Sequence, residues 1–194
     1  MRRPFFPVGL NLNGRPCVVI GASDDREAIE KAAALKESGA DVRRITDPSH
    51  IKEEDVAGAF FVISTPQDEA LSKRLREYAD RHRFLLCCID QPEHGFVAMT
   101  AIAKAGPVRI AISTAGLAPR VGKKLKQALQ RAMDERFARF VETLAQHRER
   151  VRAEHPGPGE SQLRRNDAIE RARGFEADVS FEYPDWYGGD RAEH

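Results

Sequence analysis

The chain has 194 residues, 41% hydrophobic and 31% charged, with 31 Lys and Arg against 30 Asp and Glu. That composition suits a globular domain large enough for a real core, with an appendage, and excludes collagen-like or disordered chains. No apolar run approaches the roughly 18 residues of a membrane span, and MRRPFFPVGLNLNG lacks the unbroken apolar stretch of a signal peptide, so a cytoplasmic protein without a membrane partner is expected.

In chain order, RPCVVIG is a short apolar run closed by Gly21. DDREAIEKAAALKESGA then places Ala28, Ile29, Ala32, Ala33 and Leu35 on one side of a helix that Gly39 can end. ADVRRIT is a second strand, with Val42 and Ile45 as its apolar positions, and SHIKEEDV is a short helical piece. AFFVIS, residues 59 to 64, has the continuous apolar character of a strand buried on both faces. PQDEALSKRLREYADRHR predicts a helix with Pro66 in its first turn and Ala70, Leu71, Leu75 and Tyr78 at helical spacing. FLLCCID, ending at Asp90, and VRIAIST, 108 to 114, are further strands. Strands alternating with amphipathic helices imply right-handed crossovers and a Rossmann-like, mainly parallel α/β sheet over residues 1–115.

From Pro119 the pattern changes. Val121, Leu125, Leu129, Met133, Phe137, Phe140, Val141 and Leu144 recur every three or four residues, predicting one long helix, broken at most once, that ends near HPGPGE. Its apolar stripe calls for a partner surface: a second copy of the chain is the simplest, and folding back on the sheet would also serve. Residues 116–155 are therefore expected to form a helical dimerisation segment, and 156–194 a short helix with an acidic, aromatic tail. Residues 120 to 152 carry ten Lys or Arg against four acids, which fits either a solvated helix face or an anionic partner. Nucleic acid is not expected, because the basic stretch lacks an interleaved aromatic platform.

In open α/β sheets ligands bind beyond the carboxyl ends of the strands. Those ends are Gly21-Ala22-Ser23-Asp24, Thr46-Asp47-Pro48, Ser64-Thr65-Pro66, Asp90-Gln91-Pro92 and Ser113-Thr114-Ala115-Gly116. A dinucleotide fingerprint needs glycines so that backbone can approach a pyrophosphate at a helix N-terminus. Gly21 holds the first position, Ser23 stands at the second, and Asp24 and Asp25 add negative charge. A worn cofactor loop and an ordinary strand-to-helix turn are both open readings, and Asp47 suits an adenosine ribose. Asp90 follows an apolar strand at the mouth of a cleft, where a partly desolvated carboxylate can move protons; the other reading is a cap on the turn before Pro92. His94 reads as a loop histidine. Cys17, Cys87 and Cys88 lie in strand-like runs as core thiols, and without HxxxH or CxxC spacing no metal site is expected.

Taken together, LNLNGRPCVVIGA, FFVISTPQDEALSKRL, LLCCIDQPEHGFVAMTAI and VRIAISTAGLAPRVGKKLKQAL resemble, in this order, the precorrin-2 dehydrogenase and sirohydrochlorin ferrochelatase module of siroheme synthases, over roughly residues 5 to 153. The resemblance implies a homodimeric, NAD-dependent enzyme that oxidises precorrin-2 to sirohydrochlorin and, in some members, inserts ferrous iron. It puts the family's aspartate at Asp90. NAD contacts fall at Gly21, Ala22, Ser23, Asp24 and Asp25, at Thr46, Asp47 and Pro48, and at Ser64 and Thr65. Contacts to an anionic tetrapyrrole fall at Thr114, Gly116, Arg120, Lys123 and Lys124. GASDDREAIEK stands where the family has GGGxVAxRK, with two extra residues before Lys31; a strand before AFFVIS is missing, and Ala115 replaces a glycine. Those departures keep two alternatives in play: a chelatase or tetrapyrrole-binding relative without NAD, and a non-catalytic dimeric scaffold.

Overall fold

The computed structural model describes residues 5–184, 186 and 187; the acidic end of the tail, Asp185 and residues 188–194, lies outside the described residues. The elements are β1 (Pro16–Ile20), α1 (Arg26–Glu37), β2 (Asp41–Ile45), β3 (Phe61–Ser64), α2 (Glu69–His82), β4 (Leu85–Cys88), β5 (Ala101–Ala105), β6 (Val108–Ile112), α3 (Pro119–Ala132), α4 (Glu135–Glu154) and α5 (Ser161–Ala172). Short 3-10 turns lie at Pro48–His50, Glu53–Asp55 and Pro158–Glu160. No helix among the described residues is long and apolar enough to cross a membrane.

β1 to β4 form one parallel sheet in the order β2-β1-β3-β4. Cys17 of β1 lies opposite Val42 on one side and Phe61 on the other, and Phe61 in turn lies opposite Leu85. The short strands alternate between two cores. Val18, Ile20, Val62 and Leu86 face α2, where Leu71, Leu75 and Ala79 close one layer together with Phe84, Ile51 and Val56. Cys17, Val19, Phe61, Ile63 and Cys87 face α1, where Ala28, Ala32 and Leu35 close the other. Covering both faces makes the central strands continuous apolar runs, and this is the expected Rossmann-like sheet. The three cysteines are all free and buried; burial pushes the Cys87 thiol up to about 12, so these are packing groups rather than nucleophiles.

Three expectations require correction. The segment 108–114 is not a fifth strand of the parallel sheet: β6 pairs only with β5, a strand the sequence did not announce, as a separate two-stranded sheet. β6 buries alternate positions only partly, so it lacks the two-sided cover of β3. Helix α2 starts after Pro66, at Glu69, because the Asp68 side chain accepts from the Leu71 amide at 3.0 Å and caps it. On α1, Ile29 is 45% exposed, and Ala33 is exposed as well. The single break allowed in the long helix falls at Met133-Asp134, where Asp134 accepts from the Phe137 amide at 2.8 Å and begins α4 afresh.

The described residues fall into two compact units, one comprising those up to Ala103 with Ile110–Leu129 and the other Lys104–Arg109 with those from Gln130 onward. Within the second, α4 packs on α5. The His147 ring nitrogen Nε2 lies 2.7 Å from Asp167 Oδ2, and Phe175 stacks on Phe140 with centroids 5.4 Å apart. Much of the α4 stripe is therefore covered by the chain's own C-terminal segment, a partner not foreseen in the periodicity.

Burial separates the helical positions energetically. Leu75→Ala, at a fully buried site, is expected to cost about 2–5 kcal/mol in urea unfolding, whereas Ile29→Ala should stay within about 0.5 kcal/mol of the parent. Equal costs at the two sites would contradict this packing.

Candidate functional site

The strand order reverses between β1 and β3, so the crevice of the fold lies at their carboxyl ends. Gly21 follows β1 and donates its amide to the Ile45 carbonyl at 3.0 Å. A Cβ at Gly21 would come within 2.4 Å of Thr65 Oγ1, 2.6 Å of Ala28 Cβ and 2.7 Å of Asp25 Oδ2, so only glycine fits. Asp25 caps α1, accepting from the amides of Glu27 at 2.9 Å and Ala28 at 3.2 Å. The Thr65 hydroxyl, also within 3.0 Å of the Ile20 carbonyl, makes a short hydrogen bond to the same carboxylate. That hydroxyl first, and then the two amides, hold the Asp25 carboxyl below its ordinary range. Arg44 reaches over from β2 and donates to the carbonyls of Ala22 at 2.7 Å and Gly21 at 3.4 Å, clamping the loop.

The other residues expected at this edge divide between buried, engaged and exposed positions. Ser64 is fully buried, and its hydroxyl has no hydrogen-bond partner among the described residues; Thr65 is buried as well. Ala22, Ser23 and Asp24 are exposed on the loop. At the end of β2, Thr46 leads into Asp47 and Pro48, where Asp47 caps a 3-10 turn by accepting from the Ser49 amide at 3.1 Å. Its carboxyl is held low by Ser49 and by His50, whose Nδ1 is 2.7 Å away. Thr46 and Asp47 are both exposed at the end of β2. The pyrophosphate's usual seat on the first amides of α1 is filled by Asp25.

A second concavity, of about 880 Å³, opens beside β4 and is lined by Lys31, Asp90, Glu93, Ser113, Thr114 and Gly116 among others. Asp90 follows β4 with φ +59, in the left-handed region. Its carboxylate accepts from Gln67 Nε2 at 3.0 Å, and the neighbouring Gln91 accepts from the Ser72 hydroxyl at 2.6 Å. The loop is held further by Arg76 stacked over Phe96 at 3.8 Å and by the amides of Phe96 and Val97 on the Leu86 carbonyl. Two expectations change here: Asp90 is exposed rather than desolvated, and its carboxylate bonds to a side chain of the β3–α2 loop rather than capping a turn.

The turn 113–116 also lines this cleft and carries left-handed residues, Ala115 at φ +51 and Gly116 at φ +75. Thr114 and Gly116 thus line the same cleft as Asp90. Arg120, Lys123 and Lys124 sit exposed on the first turns of α3 and do not line it. Lys31 was not among the expected site residues. It enters the cleft from α1, paired with Glu27 at 3.4 Å one helical turn back, and its i, i+4 spacing from Glu27 was the available signal.

Asp25 ties stability to pH in a defined direction. Its folded pKa is depressed below 3.8, so its contribution is complete above that value and is lost as pH falls through the folded pKa. The melting-temperature gap between the parent and Asp25→Asn should therefore be widest near neutral pH and narrow in acid. A gap that is constant with pH, or that widens in acid, would contradict this role for the carboxylate.

Comparison with known proteins adds to this geometry. Residues 8–101 match a family described as "Putative NAD(P)-binding". The siroheme synthase of Xylella fastidiosa is 28% identical over 171 residues, covering 78% of this chain and 35% of that protein. That of Hahella chejuensis is 27% identical over 168 residues, covering 77% and 35%. The chain thus spans about a third of the length of the curated relatives it matches. Among solved structures, "SirC, precorrin-2 dehydrogenase" superposes with a TM-score of 0.66 at 20% identity, over 86% of this chain and 88% of that one.

Proposed function

From a chain related to the siroheme synthases and folded like a precorrin-2 dehydrogenase, we infer an enzyme of siroheme biosynthesis that oxidises precorrin-2 to sirohydrochlorin in the cleft beside β4. The observation that carries this reading is Asp90. A non-glycine residue held at φ +59 in a concavity is a local cost that the surrounding contacts sustain, and such positions concentrate at working sites.

The oxidation removes a hydride and a proton from the macrocycle. Asp90, exposed and oriented by Gln67, is the carboxylate available to accept the proton. Lys31 and the hydroxyls of Ser113 and Thr114 line the same cleft and can bind carboxylate arms of the substrate. Arg120, Lys123 and Lys124 on α3 add positive charge that attracts a polyanion. A nicotinamide dinucleotide, held along Gly21–Asp24 and Thr46–Pro48, would supply the hydride acceptor.

A second reading rests on a specific observation: Asp25 already fills the pyrophosphate seat. In that case the same cleft binds the tetrapyrrole for metal insertion, and no dinucleotide is needed.

Asp90→Asn tests the mechanism cleanly, because asparagine tolerates the left-handed backbone. With precorrin-2 and NAD, followed by the appearance of the sirohydrochlorin spectrum, kcat should fall at least about a hundredfold while sirohydrochlorin binding persists. Turnover by Asp90→Asn at the parental rate would overturn the role of Asp90. Absence of turnover by the parent, with tetrapyrrole binding intact, would favour the second reading.

A further inference from the structure

The turn after β1 contains its own anion. In Rossmann-type folds the dinucleotide's diphosphate rests on the free amides at the N-terminus of the helix after β1, and the first glycine lets backbone approach it. In this chain two of those amides, of Glu27 and Ala28, already donate to Asp25 at 2.9 and 3.2 Å. Thr65 supplies a third donor to the same carboxylate. The space left by the missing side chain at Gly21 is filled by Thr65, Ala28 and Asp25 themselves. Arg44 donates through its two Nη atoms to the carbonyls of Gly21, Ala22 and Ser23, at 3.4, 2.7 and 3.5 Å, while its buried Nε has no partner among the described residues. A negative charge, its donors and a clamp therefore occupy the position that a diphosphate would take.

We infer that Asp25 is an internal occupant of the diphosphate position, so that a dinucleotide binds this chain only in competition with the Asp25 carboxylate. Asp25 is then the residue that determines cofactor affinity, and a neutral cap at this position opens the seat. The inference rests on the reading of this strand edge as a cofactor edge. It differs from a general effect of acidity, because Asp24 is exposed next door and makes none of these contacts to the helix amides.

Serine and asparagine both cap helices well, so Asp25→Ser and Asp25→Asn keep the helix start while removing the charge. Asp24→Ser removes a charge from the same loop without vacating the seat. Calorimetric titration of the full chain and these three variants with NAD, and separately with ADP as a diphosphate probe, tests the inference. Both Asp25 variants should bind both ligands at least about tenfold more tightly than the parent, while Asp24→Ser should change affinity less than about threefold. Unchanged or weaker binding by the Asp25 variants, an equal gain in Asp24→Ser, or no binding by any of the four proteins would overturn it. Titrating the same proteins with sirohydrochlorin separates this inference from the proposed function. Tetrapyrrole binding kept without a gain for NAD defeats the inference alone, and a gain for NAD without tetrapyrrole binding defeats the proposed function alone.

Discussion

The lack of a side chain at Gly21 is the constraint around which the sheet edge is organised. Because nothing projects from this residue, the end of β1, the start of β3–α2 and the first turn of α1 converge to contact distance, with Thr65, Ala28 and Asp25 all within 2.7 Å of where a Cβ would lie. Convergence there holds the first turn of α1 against the end of β1. That in turn buries Ala28, Ala32 and Leu35 against Cys17, Val19 and Ile63, and brings Lys31 out at the cleft beside β4. A glycine kept for close approach is common to cofactor-binding turns; in this chain the approach is made by the protein's own cap.

The cleft beside β4 depends on a different device. Two short turns that line it, one at Asp90 and one at Ala115-Gly116, carry left-handed backbone. At the second, alanine bears the left-handed backbone, and the Leu117 amide closes the turn on the Thr114 carbonyl at 2.9 Å just before α3 begins. The Asp90 loop is held by independent contacts, among them Gln67 to Asp90, Ser72 to Gln91 and Arg76 over Phe96. A carboxylate fixed in this way presents a defined direction to a substrate without being buried, which suits proton transfer to and from solvent.

The central sheet was legible in the sequence because its strands are covered on both faces: FFVIS and LLCC are unbroken apolar runs of strand length, and every β3 residue is buried. β5 and β6 were misread for the converse reason. AIAKA has little strand character of its own, and VRIAI is only half-covered, so neither run discloses that they pair with each other. The start of α2 turned on a contest between Pro66 as a first-turn residue and Asp68 as a cap, which the cap won. At the site, Asp90, Thr114 and Gly116 could be placed from strand-end logic. The seating of Asp25 could not, because its decisive partner, Thr65, lies 40 residues away in the chain and no local pattern links the two.

The account's central claim is that the cleft beside β4 is where the tetrapyrrole is handled. A crystal structure of the protein with sirohydrochlorin tests it most directly. The account predicts the macrocycle between Asp90 and the Thr114–Gly116 turn, with a carboxylate arm on Lys31. A macrocycle bound elsewhere, such as along α4 and α5, with the cleft beside β4 empty, would contradict it.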